Sequence, residues 1–200
     1  MTSLNRARLR DLSEIRGGHV ATSDPADRDT PGAWRALQAG DLQPDGSVEW
    51  SGLRWVTIKS GSTPKEIREE DVLVPLRSTR VAALVARGVP DRTIAVGHWA
   101  VITTGPHLLP DYLAWYLGHP TTTRALAGMV VGTNISFLPL SAVRDLEVEV
   151  PPLALQERIA RVRELHATIT RLETQLATRR SQFLDALTRA ALDGAAITNR

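Results

Sequence analysis

The sequence predicts an α+β protein: a mixed α/β domain of short strands and helices over residues 1–150, a long coiled-coil helix over 151–193, and a tail over 194–200. Three observations carry this prediction. Between Trp34 and Ile102, short runs of β-branched and aromatic residues alternate with turn residues. From Leu153 to Asp193 there is neither proline nor glycine. Within that stretch, positions 155, 162, 169, 176, 183 and 190 are Leu, Val, Ile, Leu, Phe and Ala, joined at a second seam position by Leu165 and Leu172. A seven-residue apolar repeat of this kind buries one narrow stripe of helix against another helix.

The elements follow in order. Leu9, Leu12 and Ile15 have an apolar spacing that stops at Gly17-Gly18, which suits a short helix or a strand. Residues 22–32, rich in Pro, Asp and Thr, have the chemistry of an exposed loop that resists both helix and ladder. Strands are expected at Trp34–Leu37, Trp55–Lys59, Val72–Leu76 and Ala95–Thr103, with Pro44-Asp45-Gly46 as a turn. Val81–Arg87 suits a helix and a buried strand equally. Pro110 opens a helix over Asp111–His119 with Leu113, Tyr116 and Leu117 on one face, and Thr122–Met129 extends helical structure. A turn at Leu138-Pro139-Leu140 and a last strand over Asp145–Val150 lead to Pro151-Pro152, where the long helix begins. Some forty helical residues reach roughly 60 Å, beyond the core of a small domain, so this helix needs a partner. Arg158 and Arg179 interrupt its second seam position, which costs stability and either helps set register or leaves room for another protein.

Composition bounds the function. At 200 residues with 42% apolar content, the chain has enough core for one domain and an appended element. The absence of cysteine removes disulfides, thiolate zinc sites and cysteine nucleophiles, and fits a reducing compartment. No apolar run approaches the ~20 residues of a spanning helix, and Arg6, Arg8 and Arg10 precede no apolar segment. A cytoplasmic protein without a membrane partner is expected. Net charge is only +2 and the pI about 9.5, with lysine confined to Lys59 and Lys65. The arginine excess fits a GC-rich coding bias as well as it fits recognition of phosphate or guanine. Its placement says more: residues 17–71 hold six basic and ten acidic side chains (−4), whereas 72–144 hold Arg77, Arg80, Arg87, Arg92, Arg124 and Arg144 against Asp91 and Asp111 (+4). This points to an anionic partner for the second segment unless folding interleaves the two.

Motifs for catalysis are missing. The chain has no glycine-rich S-adenosylmethionine loop paired with an Asn/Asp-Pro-Pro-aromatic segment, and no Gly-x-x-x-x-Gly-Lys-Ser/Thr phosphate loop. His19, His98, His107, His119 and His166 form no metal-ligand spacing. Glu69-Glu70-Asp71 reads as a solvated acidic face rather than a metal site. No catalytic residue, metal or cofactor is assigned to this chain.

Several segments, in order, resemble one half of a type I restriction-modification specificity subunit, a target-recognition domain followed by its spacer helix. They are Leu9-Arg10-Asp11-Leu12-Ser13-Glu14-Ile15-Arg16-Gly17-Gly18, Trp34–Leu42, Glu70-Asp71-Val72-Leu73-Val74, and Leu109-Pro110-Asp111-Tyr112-Leu113-Ala114-Trp115-Tyr116-Leu117. Gly132-Thr133-Asn134-Ile135, Leu140–Leu146 and Val150-Pro151-Pro152-Leu153-Ala154-Leu155-Gln156-Glu157-Arg158-Ile159 complete the set, and the last string is the most specific. At that junction the prolines end the ladder, and Gln156 or Glu157 suits the free amides of the first helical turn. The resemblance implies a non-catalytic DNA-recognition subunit serving a separate methyltransferase, which would bind S-adenosylmethionine, with a translocating restriction subunit as a further partner. Family members carry two such halves in one chain. This chain would pair as a homodimer or with another half-subunit, through Leu155, Val162, Leu165, Ile169, Leu172, Leu176 and Phe183.

Residue type and location single out three loops for double-stranded DNA. Arg77-Ser78-Thr79-Arg80 follows an expected strand and offers two guanidiniums and two hydroxyls, or is a solvated turn. Thr133 and Asn134, after Gly132, bring backbone to phosphate and an amide to adenine, or form a plain turn. Lys59 and Ser60, in the polar run to Thr63, suit phosphate contact. Trp50, Trp55, Trp99 and Trp115 are assigned to core rather than to base stacking. The competing function is an assembly scaffold that oligomerises through the helix and touches no DNA.

Overall fold

A computed structural model describes residues 5–19, 23–43, 46–58, 64–77, 83–131 and 137–198. The chain divides into two compact units, Met1–Glu157 and Arg158–Arg200. The first unit opens with β1 (Asn5–Arg8), α1 (Leu9–Leu12), β2 (Ser13–Gly17), β3 (Ser23–Ala26), β4 (Ala33–Leu37) and β5 (Trp55–Ile58). It continues with β6 (Val72–Pro75), β7 (Leu84–Val85), β8 (Thr93–Ala95), β9 (Trp99–Thr104), α2 (Pro110–Gly118), α3 (Pro120–Ala127), α4 (Leu140–Arg144) and β10 (Glu147–Val150). Helix α5 (Leu153–Thr198) begins in this unit and supplies the second. The fold is α+β with a long C-terminal helix.

Among the described residues, three sheets organise the first unit. An antiparallel pair joins β1 to β10, with Asn5 opposite Val150 and Arg8 opposite Glu147. A four-stranded antiparallel sheet has the order β2-β9-β6-β7, and a second four-stranded sheet has the order β3-β5-β4-β8, in which only β4 and β8 run parallel. Strand β6, Val-Leu-Val-Pro, is buried at every position, as expected for an apolar run covered on both faces. Pro75 is tolerated there because the β7 pairing reaches only Val72 and Leu73, so its missing N–H falls where β7 has ended. Leu37, Leu53, Ile67, Leu73, Trp99 and Val101 form the core between the two larger sheets, with Val48, Trp50, Leu84 and Val89 packed on its rim.

The structure departs from several local expectations. Residues 23–26 are strand, not free loop: Pro25 lies opposite Val56 on an edge strand, where a missing donor faces no neighbour. The run Ala95–Thr103 is two strands in different sheets, separated at Gly97, whose φ of 93° takes the chain from β8 to β9. Gly18 packs against that turn so closely that a Cβ on it would lie 2.5 Å from the Gly97 carbonyl oxygen. The turn at 138–140 leads into α4, so the last strand begins at Glu147 rather than Asp145. Val81–Arg87, open in the sequence, contains strand β7, and α5 runs on through Gly194 to Thr198.

Of the acidic cluster, Glu69 and Glu70 are exposed as expected of a solvated face, but Asp71 is not. Asp71 is 1% exposed, and its carboxylate accepts from Arg16 Nη2 (2.6 Å), Thr103 Oγ1 (2.5 Å) and the Arg68 amide (2.9 Å). Arg16 also donates to the Glu66 carbonyl at 2.7 Å, so one guanidinium ties β2 to the segment leading into β6. Glu69 accepts from the amides of Gly88 and Val89. These two carboxylates hold the backbone before β6 and after β7.

Helix α2 begins at Pro110, where a missing N–H costs nothing. It buries Tyr112, Leu113, Ala114 and Leu117, so Tyr112 takes the core place expected of Tyr116. Tyr112 and Tyr116 donate their hydroxyls to the carbonyls of Glu149 and Glu147 on β10. Burial pushes the Tyr112 phenol up to about 12. Gln156 does not cap its own helix. Fully buried, it accepts from the Leu109 amide (2.9 Å) ahead of α2 and donates to the carbonyls of His107 (2.9 Å) and Pro151 (2.8 Å).

Candidate nucleic-acid interface

The exit of β6 is fixed from both sides. The Leu76 amide donates to the His98 carbonyl and the Leu76 carbonyl accepts from the Leu138 amide, each at 2.8 Å. Arg77, the next residue, is exposed, and its guanidinium has no hydrogen-bond or ion-pair partner among the described residues. Residues 78–80, including the predicted Ser78, Thr79 and Arg80, lie outside the described residues.

Residue 138 continues from a second stem. Val131 and Phe137 form an isolated antiparallel bridge with N–H···O distances of 3.1 and 3.0 Å. The residues between them, which include the predicted Thr133 and Asn134, also lie outside the described residues. The Leu76–Leu138 bond therefore makes neighbours of the Arg77 turn and this stem, two segments some sixty positions apart in sequence. The exposed His98 ring lies 6.3 Å from that of Phe137. Met129, Val130, Val131 and Phe137 are exposed as well, giving an apolar and aromatic stem beside an unpaired guanidinium. Chemically this offers a fork for phosphate or guanine and apolar contact for sugar or a thymine methyl. The third predicted loop, with Lys59 and Ser60 outside the described residues, follows β5 in the other four-stranded sheet.

Folding narrows the positive charge of residues 72–144. Arg87 pairs with Asp111 at 2.5 Å, and that hydrogen bond holds its guanidinium above the usual arginine range. Arg144 donates to the Ile15 carbonyl and Arg92 to the Ala33 carbonyl. Arg87 is thus the segment's one ion-paired arginine among the described residues; Arg92 and Arg144 keep their charge while bonded to carbonyls, and the Arg77 and Arg124 side chains make no hydrogen bond or ion pair there. Among the described residues no group of His, Cys, Asp and Glu is placed to hold a metal, and no helix is long and apolar enough to cross a membrane.

Of the tryptophans assigned to core, Trp99 is fully buried, whereas Trp50, Trp55 and Trp115 are half-buried. Trp55 was missed as part of a polar site, since the guanidiniums of Arg35 and Arg92 both lie over its ring. The sequence signal was slight: an arginine and a tryptophan on adjacent expected strands.

On α5 the predicted seam is uncovered throughout. Leu155 is 42% exposed, Leu165, Ile169, Leu172 and Leu176 about half, and Val162 and Phe183 66% and 64%. Leu184 and Leu187, outside the predicted seam, are exposed as well, so the apolar band widens beyond Phe183. The described part of this helix thus carries a row of large exposed apolar side chains, a feature that protein-binding faces share.

No protein-family model and no curated protein matches the sequence. Solved structures do. One, from work on complex assembly and conformational transition of the type I R-M system, matches at a TM-score of 0.61 and 19% identity, over 88% of this chain and 42% of that one. The crystal structure of the HsdS subunit from Thermoanaerobacter tengcongensis matches at 0.54 and 20% identity, over 88% and 39%. The type I restriction-modification S subunit from M. genitalium matches at 0.50 and 11% identity, over 82% and 40%. The chain thus has the fold of type I specificity subunits and spans about two fifths of the length of the structures it matches.

Proposed function

We propose that this chain is a non-catalytic DNA-recognition module of a type I-like restriction-modification complex, holding target DNA for a separate methyltransferase subunit that binds S-adenosylmethionine. One observation carries the reading: a fold shared with specificity subunits over 88% of the chain, which takes in the recognition domain and a helix with a bare apolar seam. The seam packs against an equivalent helix, from a second copy or from another half-subunit. The Arg77 turn and the 131–137 stem meet duplex DNA, with the loops that follow them reading base edges. A translocating restriction subunit joins the same complex.

Light scattering on the chain, alone and with a co-encoded DNA methyltransferase, combined with salt-dependent binding to duplex DNA, tests the proposal. A dimer or methyltransferase complex that binds duplex with a steep salt dependence is expected. Ile169→Asp places a carboxylate in the seam and abolishes pairing, while Arg77→Ala leaves assembly intact and weakens DNA binding. An assembly that forms normally yet ignores duplex at every salt concentration refutes DNA recognition in favour of the scaffold. Normal pairing by Ile169→Asp refutes the seam.

A further inference from the structure

We infer that Arg35 is a preset phosphate fork, and that the bay it shares with Arg28 and Arg92 seats a backbone phosphate of duplex DNA; the inference rests on the DNA-recognition reading above. Arg35 on β4 and Trp55 on β5 are direct cross-strand partners. The Arg35 guanidinium carbon lies 4.6 Å from the centre of the Trp55 ring and that of Arg92 lies 5.6 Å from it. The two arginines differ in what they are free to do. Arg92 is anchored: its backbone is left-handed at φ 60°, its amide donates to Glu66 Oε2, and its side chain donates to the Ala33 carbonyl.

The Arg35 amide donates to the Arg92 carbonyl at 2.7 Å, whereas its guanidinium makes no hydrogen bond or ion pair among the described residues. Stacking on an indole uses the flat face of a guanidinium and leaves its in-plane N–H groups free, which orients the fork before a ligand arrives. An ordered guanidinium with unspent donors is the geometry that takes an oxyanion in two parallel hydrogen bonds. The depression in front of it has a volume of about 580 Å³. Arg28, Arg35, Arg92 and Trp55 line it beside Asp29 and Asp91, with Val89 and Pro90 as a wall. No ion pair joins either aspartate to these arginines, so the bay keeps three positive charges against two negative ones. Because the indole is committed to guanidiniums, the bay offers donors rather than a platform for a base.

The test uses the duplex-binding assembly with Arg35→Gln and Arg28→Gln as separate variants. Each lost phosphate contact lowers the slope of log affinity against log salt by about 0.9. The advantage of wild type over Arg35→Gln then shrinks about 3.5-fold between 50 and 200 mM salt, which is that slope applied to a fourfold change. The loss is uniform across DNA sequences, as phosphate contacts require, and each variant keeps a cooperative urea transition, with the Arg35→Gln midpoint lowered by no more than the lost stacking on Trp55 accounts for. An unchanged slope, or a loss confined to one target sequence, overturns the inference while leaving DNA recognition standing. Failure of the wild-type assembly to bind duplex would overturn both.

Discussion

Replacing Gln156 with Glu changes one NH2 group into oxygen at constant shape, at a site with no access to water. The amide nitrogen lies 2.9 Å from the His107 carbonyl and 2.8 Å from that of Pro151, so an ionised carboxylate there faces two lone-pair bearers. The least costly folded state keeps the introduced carboxyl protonated. Holding a group of ordinary pKa about 4.3 neutral at pH 7 costs about 3.7 kcal/mol, against about 1 kcal/mol at pH 5. A protonated acid supplies one donor where the amide supplied two, so one carbonyl goes unmet at a further 1–3 kcal/mol or so. The destabilisation is then about 5–7 kcal/mol at pH 7 and about 2–4 kcal/mol at pH 5. The sign follows from linkage: the folded pKa of the new carboxyl is raised, so stability present below about pH 4.3 is lost as pH rises. Urea unfolding at both pH values, each referred to wild type at the same pH, reads the difference. Gln156→Leu carries nothing to titrate and gives a loss that does not vary with pH. A Gln156→Glu loss below about 1 kcal/mol, or the same at both pH values, refutes the account of this buried amide.

Two further outcomes follow from the first unit. Asp71→Ala removes the counter-charge of the Arg16 guanidinium, 12% exposed, leaving it only the neutral Glu66 carbonyl and Thr103 hydroxyl, and costs about 3–5 kcal/mol by urea unfolding; a loss under about 1 kcal/mol would mean the pair is solvated. For Tyr112, a folded pKa of about 12 lies above the ordinary 10, so its contribution is complete below pH 10 and is lost as pH rises towards 12. Tyr112→Phe lacks that decline, and its stability gap from wild type narrows between pH 10 and 12; a constant gap contradicts the burial of the phenol.

Much of the fold was legible where local chemistry and final environment agree. Val72–Pro75 is an apolar run and becomes a fully buried strand; Pro110 opens α2; the proline-free and glycine-free stretch after Leu153 is one helix. Legibility failed where a residue's role depends on its neighbour in space. Pro25 argues against a strand until its place on a sheet edge is known. Gly97 sits in a run whose hydrophobicity is continuous, and only the switch between sheets shows that it breaks the strand. Arg16 and Asp71 are 55 positions apart and meet because β2 and β6 flank β9, a register that neither segment encodes alone. Residue type alone marked the Arg77 turn and the loop after Val131 as polar contact candidates, but their adjacency hangs on the Leu76–Leu138 bond. Arg35 and Trp55 were invisible as a pair for the same reason.

The antiparallel ladder between β1 and β10 means that the segment from Asn5 to Val150 closes on itself, its two ends side by side. Such a segment is a cassette. Whatever chain precedes Asn5 and whatever follows Val150 meet it at one seam, so the whole body can be lifted out and another with the same paired ends set in without stretching either flank. Under the function proposed above, an exchange of this body would change what is read and leave the long helix as it is.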